Sequence, residues 1–294
     1  MQQSLFLVDA SPYIFRAYFS VPSSITTPSG APANAVHGFG AFLLRLLQEE
    51  KPTHIAVAFD GSLTTSFRNE IYPDYKAQRE LPPPELEAQQ RGCQQMARAL
   101  GCPSFIDDRY EADDLVATLK DRCANDDGLG CVVVTSDKDL AQLVDERTQL
   151  FDFAKAQRFG PAEVIDKFGV RPEQIVDYLG LAGDAVDNIP GVRGIGAKSA
   201  AALLQAKPSL DALYEDLGSV EALPVRGAKR LRRLLEEQET EARLSRELAT
   251  VSTEAPVDVE LAQLAYEGID SSALETLCEE YGFTDLRRRA EELE

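Results

Sequence analysis

Glu111-Ala112-Asp113-Asp114-Leu115 sets three carboxylates within four residues, directly ahead of the apolar-periodic run Leu115, Val116, Leu119. The stretch reads as the first turn of a helix. Acidic side chains cap and charge-balance a helix N-terminus, and Glu111 and Asp114, three apart, suit that role. Capping accounts for one or two acids, so the third directs attention to the rest of the chain. The strand-like runs Leu5 to Val8, Ile55 to Phe59 and Cys131 to Val134 each lead into an aspartate, namely Asp9, Asp60 and Asp137. In a mostly parallel α/β sheet the strand C-termini share one edge, where ligands bind, and the strand-end aspartates would meet the helix acids there. So many anions require cations, and hard oxygen-ligated Mg²⁺, with Mn²⁺ as the alternative, satisfies them.

Composition narrows the chemistry. The chain has 294 residues, 44% of them hydrophobic, enough for one large domain or two ordinary ones. No early apolar run is long enough for a signal peptide or membrane span, so a cytoplasmic protein is expected. Five cysteines without a close pair argue against a disulfide framework and a zinc site. His37 and His54 are the only histidines, which leaves imidazole chemistry little to work with. The net charge of −19, from 49 acids and 30 basic residues, weighs against nucleic acid as a partner. The charge is uneven, however: Arg226, Lys229, Arg230, Arg232 and Arg233 lie within eight residues.

Strand and helix patterns alternate to about Gly169 and become helical afterwards, so the chain divides into 1–170, an α/β unit, and 171–294, a helical unit. Within the first, Phe67 to Arg79 is polar, aromatic and basic without a core face, as expected of a substrate-handling loop or arch. Arg68, Lys76 and Arg79 would contact phosphate there, and Tyr72 and Tyr75 would stack on bases. A solvated amphipathic helix accounts for the same spacing equally well. Within the second, Gly191-Val192-Arg193-Gly194-Ile195-Gly196-Ala197-Lys198-Ser199 is a tight turn opening a helix, a backbone anion site or, in the blander reading, a helix cap.

Asp139 follows Asp137, and Asp184 and Asp187, spaced by three, fall on one face of a helical turn. Taken singly, such acids are more often caps or turn residues than ligands. Asp9, Asp60, Glu111, Asp113, Asp114, Asp137, Asp139, Asp184 and Asp187 taken jointly reverse that preference. Two metals about 4 Å apart, hydrolysing a phosphodiester in line, is the chemistry that suits the set.

These residues resemble the bacterial 5′ nuclease family, whose best-known member is the N-terminal domain of DNA polymerase I. The match runs through Leu7-Val8-Asp9, Val57 to Asp60, Phe67-Arg68 with Tyr75-Lys76 and Arg79, Glu111 to Asp114, Ser136 to Asp139, Gly183-Asp184 with Asp187 to Gly191, and Arg226 to Lys229. The resemblance implies a PIN-like catalytic domain with a helical arch, followed by a helical domain with a helix-hairpin-helix variant. It implies a metal-dependent 5′-flap endonuclease and 5′ to 3′ exonuclease of replication and repair. By position, the nine acids match the family's metal site, and Lys76 and Arg79 its catalytic arch residues. Arg16, Arg68, Tyr75, Gly191, Gly194, Gly196 and Lys198 match DNA contacts, with K⁺ at the hairpin turn. The implied partner is DNA with a 5′ flap or 5′ end at a single-strand/duplex junction, handled by a monomer at the nucleoid. The chain is read as a stand-alone enzyme related to exonuclease IX, with a catalytically weak DNA-binding protein and a PIN-type ribonuclease as the alternatives.

Overall fold

The apolar runs that end in aspartate lie side by side in one sheet. The computed structural model describes residues 3–62, 65–124 and 128–292. In chain order the elements are β1 (Gln3–Asp9), α1 (Ser11–Ser20), α2 (Asn34–Glu50), β2 (His54–Asp60), α3 (Phe67–Ile71), α4 (Pro84–Ala99), β3 (Ser104–Asp107), α5 (Ala112–Cys123), β4 (Leu129–Val134), β5 (Thr148–Asp152) and β6 (Gln157–Phe159). There follow α6 (Pro161–Phe168), α7 (Ile175–Ala182), α8 (Ala197–Ala206), α9 (Leu210–Glu215), α10 (Ala228–Glu237), α11 (Glu239–Ala249), α12 (Ser271–Tyr281) and α13 (Thr284–Glu291).

The strand order is β3-β2-β1-β4-β5-β6, parallel throughout except for the β5–β6 pair. Successive strands build outward from β1 in one direction and then, from β4, in the other. The order therefore reverses between β1 and β4, and a crevice opens beyond their C-terminal ends. Asp9 and the Thr135–Asp137 segment stand at that point, because Val8 pairs with Val134.

Side chains alternate between two cores. Leu5 and Leu7 enter a cluster with α5 and the helices after residue 170, while Phe6 and Val8 enter another with α1, α2 and α4. Burial on both faces explains why β1, β2 and β4 read as continuous apolar runs rather than alternating ones. The last two helices return to the first part of the chain, where α12 packs on α4 and α13 on α2. Leu274, Leu277, Phe283 and Leu286 are buried in the second cluster.

The expected helical arch is present among the described residues only as α3 and the turns after it. Pro73 and the run Pro82 to Pro84 interrupt any longer helix, and Lys76 has φ +56°. The segment lies on the 184–188 loop instead. Lys76 N donates to the Asp187 carbonyl at 3.0 Å, Gln78 to the Ala185 and Val186 carbonyls, and Asn188 to the Asp74 carbonyl at 2.6 Å. Asp184 and Asp187 likewise sit in a loop and not on a helical turn: Gly183, with φ +71°, ends α7, and Asp184 pairs with Ile189 as a β-bridge.

Candidate active site

The crevice at the sheet edge is a cleft of about 460 Å³ lined by Asp9, Asp60, Glu111, Asp113 and Asp137, with Lys76 and Arg79 on its wall. Each acid is placed by a different local cause. Asp9 and Asp60 end β1 and β2. Glu111 and Asp113 open α5, and Asp137 is oriented by Thr135 Oγ1, which accepts from its backbone N–H at 2.9 Å. Residues that escaped sequence reasoning hold the strand-end acids. Thr135 Oγ1 donates to Asp9 at 2.8 Å, Ser11 Oγ donates to Asp60, and the Ala112 N–H donates to Asp60 at 2.8 Å. The signal that could have found the hydroxyls is their position one or two residues beyond a strand end.

Crowding shows in the acid–base properties. Burial, reinforced by the charge of Asp60, pushes the Asp9 carboxyl up to about 8. Burial and then Asp137 bring Asp139 to about 7. Asp113 rises well above the ordinary range through burial and then the charges of Asp9 and Asp137, Asp60 through burial and then Glu111, and Asp137 chiefly through burial. These carboxyls lack enough cations to ionise together comfortably.

The cations present are side chains. Lys76 Nζ lies 2.6 Å from Glu111, Arg79 bonds Asp187, and Lys138 bonds Asp184. Burial alone would depress the Lys76 ammonium, but Glu111 and Asp187 outweigh it and hold the group above its usual value. No three acids among the described residues stand as a ready ligand set. The donor chemistry nevertheless fits a hard divalent ion, being all carboxylate oxygen, and buried Asp139 Oδ1 accepts no hydrogen bond. Asp184 and Asp187 flank the cleft through their links to Lys138 and to Lys76 and Arg79.

Four expected site residues are placed otherwise. Asp114, fully buried, points away from the cleft into a two-pronged pair with Arg68, whose Nη1 and Nη2 each donate to it at 2.8 Å. Arg68 is itself 2% exposed, so it is a buried anchor and not a DNA contact: its remaining donors reach Glu111, the Leu248 carbonyl and the Thr250 carbonyl. Tyr75 is also buried, its hydroxyl donating toward Glu111 at 3.0 Å and Asp187 at 3.1 Å, which leaves no ring face for a base. Arg16 is exposed on α1 but lines a separate cleft with Arg45 and Arg289.

The glycine turn has the conformation its sequence implied. Gly191 and Gly194 have φ of +61° and +96°, and Gly196 caps α8, with Lys198 exposed in its first turn. A Cβ on Gly191 would lie 2.4 Å from the Gly183 N, so the turn and the end of α7 cross at backbone contact. On α10, Arg232 and Arg233 pair with Glu221, Glu236 and Glu237, as an exposed charge-balanced face, while Arg230 donates to the Gly194 carbonyl.

The N-terminal resolvase-like domain of 5′-3′ exonucleases matches residues 4–169, and the C-terminal SAM fold of the same enzymes matches residues 170–272. The chain belongs to the 5′-3′ exonuclease family. Among curated relatives, DNA polymerase I of Bacillus subtilis is 37% identical over 98% of this chain and 32% of its own length. DNA polymerase I of Pseudomonas aeruginosa is 41% identical over 99% of this chain and 32% of its own. The chain thus spans about a third of the length of these polymerases. Among solved structures, a bacteriophage T5 5′-exonuclease with bound zinc superposes at a TM-score of 0.66 with 17% identity, covering 99% of this chain and 98% of that one. The catalytic core of Rad2 in complex with DNA substrate gives 0.63 and 16%, covering 99% and 91%. At those identities the likeness speaks for the fold: a resolvase-like α/β part carrying a mostly parallel sheet, and a helical SAM-like part.

Proposed function

We propose that this exonuclease-family chain hydrolyses DNA phosphodiesters at 5′ ends and 5′-flap junctions, using divalent metal, with Mg²⁺ as the physiological ion and Mn²⁺ as its substitute. The observation that carries this reading is the convergence of Asp9, Asp60, Glu111, Asp113 and Asp137 on one cleft that also presents Lys76 and Arg79. Family membership, a relative solved with zinc and another solved with DNA substrate support it.

In this reading the five cleft acids, with Asp139, Asp184 and Asp187 beside them, hold the metal, and Asp114 serves by fixing α5. Bound divalent ions would supply Lewis acidity toward a phosphate oxygen and a water nucleophile active near neutral pH. Lys76 and Arg79 leave their carboxylate partners for the phosphate and stabilise charge developing on it. Ser11, Pro12 and Phe15 of the α1 side and Lys76, Arg79 and Glu80 line the cleft beside the acids. Backbone N–H groups from Gly194 to Lys198 hold one strand of the adjoining duplex without reading bases, assisted by K⁺ at the turn carbonyls. The working unit is a monomer made of the parts 1–170 and 171–294, acting at the nucleoid.

The deciding experiment is a 5′-flap DNA assay with Mg²⁺ and with EDTA. Cleavage that requires the metal and leaves a 5′-phosphate and a 3′-hydroxyl is expected. Tight junction binding without cleavage would instead favour the catalytically weak DNA-binding protein.

A further inference from the structure

Helix α11 is bonded to the glycine turn at its start and again one turn before its end, and just beyond its end to the elements that carry the acids. At its start Gln238 Oε1 accepts from the Arg193 N–H at 2.8 Å, and Gln238 Nε2 donates to the Arg193 carbonyl at 3.2 Å. One turn before its end, fully buried Ser245 accepts from the Gly191 N–H at 2.8 Å. Just beyond, Gln142 Nε2 donates to the Ala249 carbonyl at 2.9 Å, and Gln142 Oε1 accepts from the Val251 N–H at 3.0 Å. Gln142 belongs to the 3₁₀ turn Asp139–Leu143, so this contact fixes the segment that begins with Asp139. Arg68 binds the Leu248 and Thr250 carbonyls while holding Glu111 and Asp114, and the Ser252 N–H donates to Asp114 at 2.7 Å. Gly180 lets α7, which leads to Asp184, close on the same helix, since a Cβ there would sit 3.0 Å from the Arg246 Cβ.

We propose that α11 is a coupling rod that makes the arrangement of the acid cluster depend on duplex held at the glycine turn, with Gln238 and Gln142 as the positioning residues at its two ends. Its eleven residues span about 16 Å of rigid helix. Its contacts at both ends are directional hydrogen bonds to backbone, which transmit a displacement where apolar contact would let it slip. Ordering the turn around a DNA strand therefore orders the Asp139 turn and, through Arg68, Glu111. The inference rests on the hydrolytic reading above and adds that duplex acts on the rate and not only on affinity.

The test uses the full chain with two part-exposed substitutions, Gln238→Ala and Gln142→Ala, and their double. Hydrogen exchange is followed across 139–143 with and without blunt duplex in EDTA. Single-turnover cleavage in Mg²⁺ is compared between a flap substrate at saturating enzyme and a single-stranded oligonucleotide. In the unaltered protein, duplex should slow exchange in that segment. Gln238→Ala should remove the slowing, lower the saturated flap rate about 5-fold or more, and leave duplex affinity and single-strand cleavage within about 2-fold. The double variant should be no slower than the worse single one. Gln238→Met, which keeps the stem packing, should behave as Gln238→Ala does, and matching thermal melts guard against simple unfolding. Unaltered exchange protection in Gln238→Ala, or flap rates that multiply in the double variant, would overturn the rod. Failure of the unaltered protein to cleave any DNA would overturn the hydrolytic reading instead.

Discussion

Lys76 Nζ lies 2.6 Å from Glu111 Oε1 and 3.7 Å from Asp187 Oδ2, so one ammonium joins the acid that opens α5 to an acid in the loop after α7. The backbone brings it there in the left-handed region, at φ +56°, with its N–H bonded to the Asp187 carbonyl. A flexible surface lysine needs neither the unusual backbone nor the burial. The placement suits a cation that moves between carboxylate and phosphate over a few ångströms.

Lys76→Ala should slow single-turnover flap cleavage about 10²-fold, the usual effect of losing one donor to a developing negative charge. DNA affinity should fall much less, because Arg79 and the glycine turn remain. Equal losses in rate and affinity would reduce Lys76 to an ordinary phosphate contact.

The Arg68–Asp114 pair is a stability element, and its loss should be read as such. Both partners are buried and both carry further hydrogen bonds, so Asp114→Ala breaks the two-pronged pair, leaves the guanidinium with Glu111 as its one remaining carboxylate partner, and should cost about 3–5 kcal/mol. Asp113→Asn should abolish cleavage without that cost, since Asp113 faces the cleft among other acids. Chemical denaturation of the two variants side by side distinguishes the roles; comparable stability would mean that the buried pair contributes little.

Metal-free protein should lose stability as pH rises. Asp9 goes from 3.8 to about 8 on folding and Asp139 from 3.8 to about 7, with Asp60, Asp113 and Asp137 moving the same way. Between those values the folded state holds more protons than the unfolded one, so the free energy of unfolding falls with pH across the window from about 4 to 8. Mg²⁺ requires the ionised carboxylates and should therefore raise Tm more at pH 8 than at pH 6. Melting curves in EDTA and in Mg²⁺ across this range check it, and a rising Tm in EDTA would contradict the crowded-acid account.

Lys198→Ala should weaken binding to flap and plain duplex alike and make the slope of log K against log salt shallower by about 0.9, one phosphate's counterion release. Cleavage at saturating enzyme should barely change. Titration of fluorescent duplex in Ca²⁺ over a salt series measures this, and an unmoved slope with unmoved affinity would leave the turn as a helix cap.

Gly191→Ala should unfold the turn locally. The new methyl would sit 2.4 Å from the Gly183 N at a φ of +61°, both disfavoured, so a loss on the order of 1–3 kcal/mol is expected by thermal melting. Gly196→Ala, with φ −102° and open space, is the control and should be tolerated.

Local chemistry carried the parts that the sequence determined by itself. Strand periodicity ending in Asp9, Asp60 and Asp137, three acids ahead of an amphipathic helix, and glycines where φ must be positive are each set by a few neighbouring residues. They sufficed for the parallel sheet and for the edge on which the acids gather. Tertiary structure alone decided which acid does what. Asp113 and Asp114 are adjacent, and a helix turns each residue about 100° from the last, so one faces the cleft and the other the core. The choice depends on Arg68, which arrives from 46 positions away and can be satisfied only inside, against Leu248 and Thr250. The same holds for Tyr75, a stacking residue by composition but buried by its bonds to Glu111 and Asp187. It holds for α12 and α13 as well, whose apolar faces are covered by α4 and α2 from the other end of the chain. Sequence spacing records which faces are apolar or charged, whereas the partner that covers a face is fixed only when distant segments meet and exclude water.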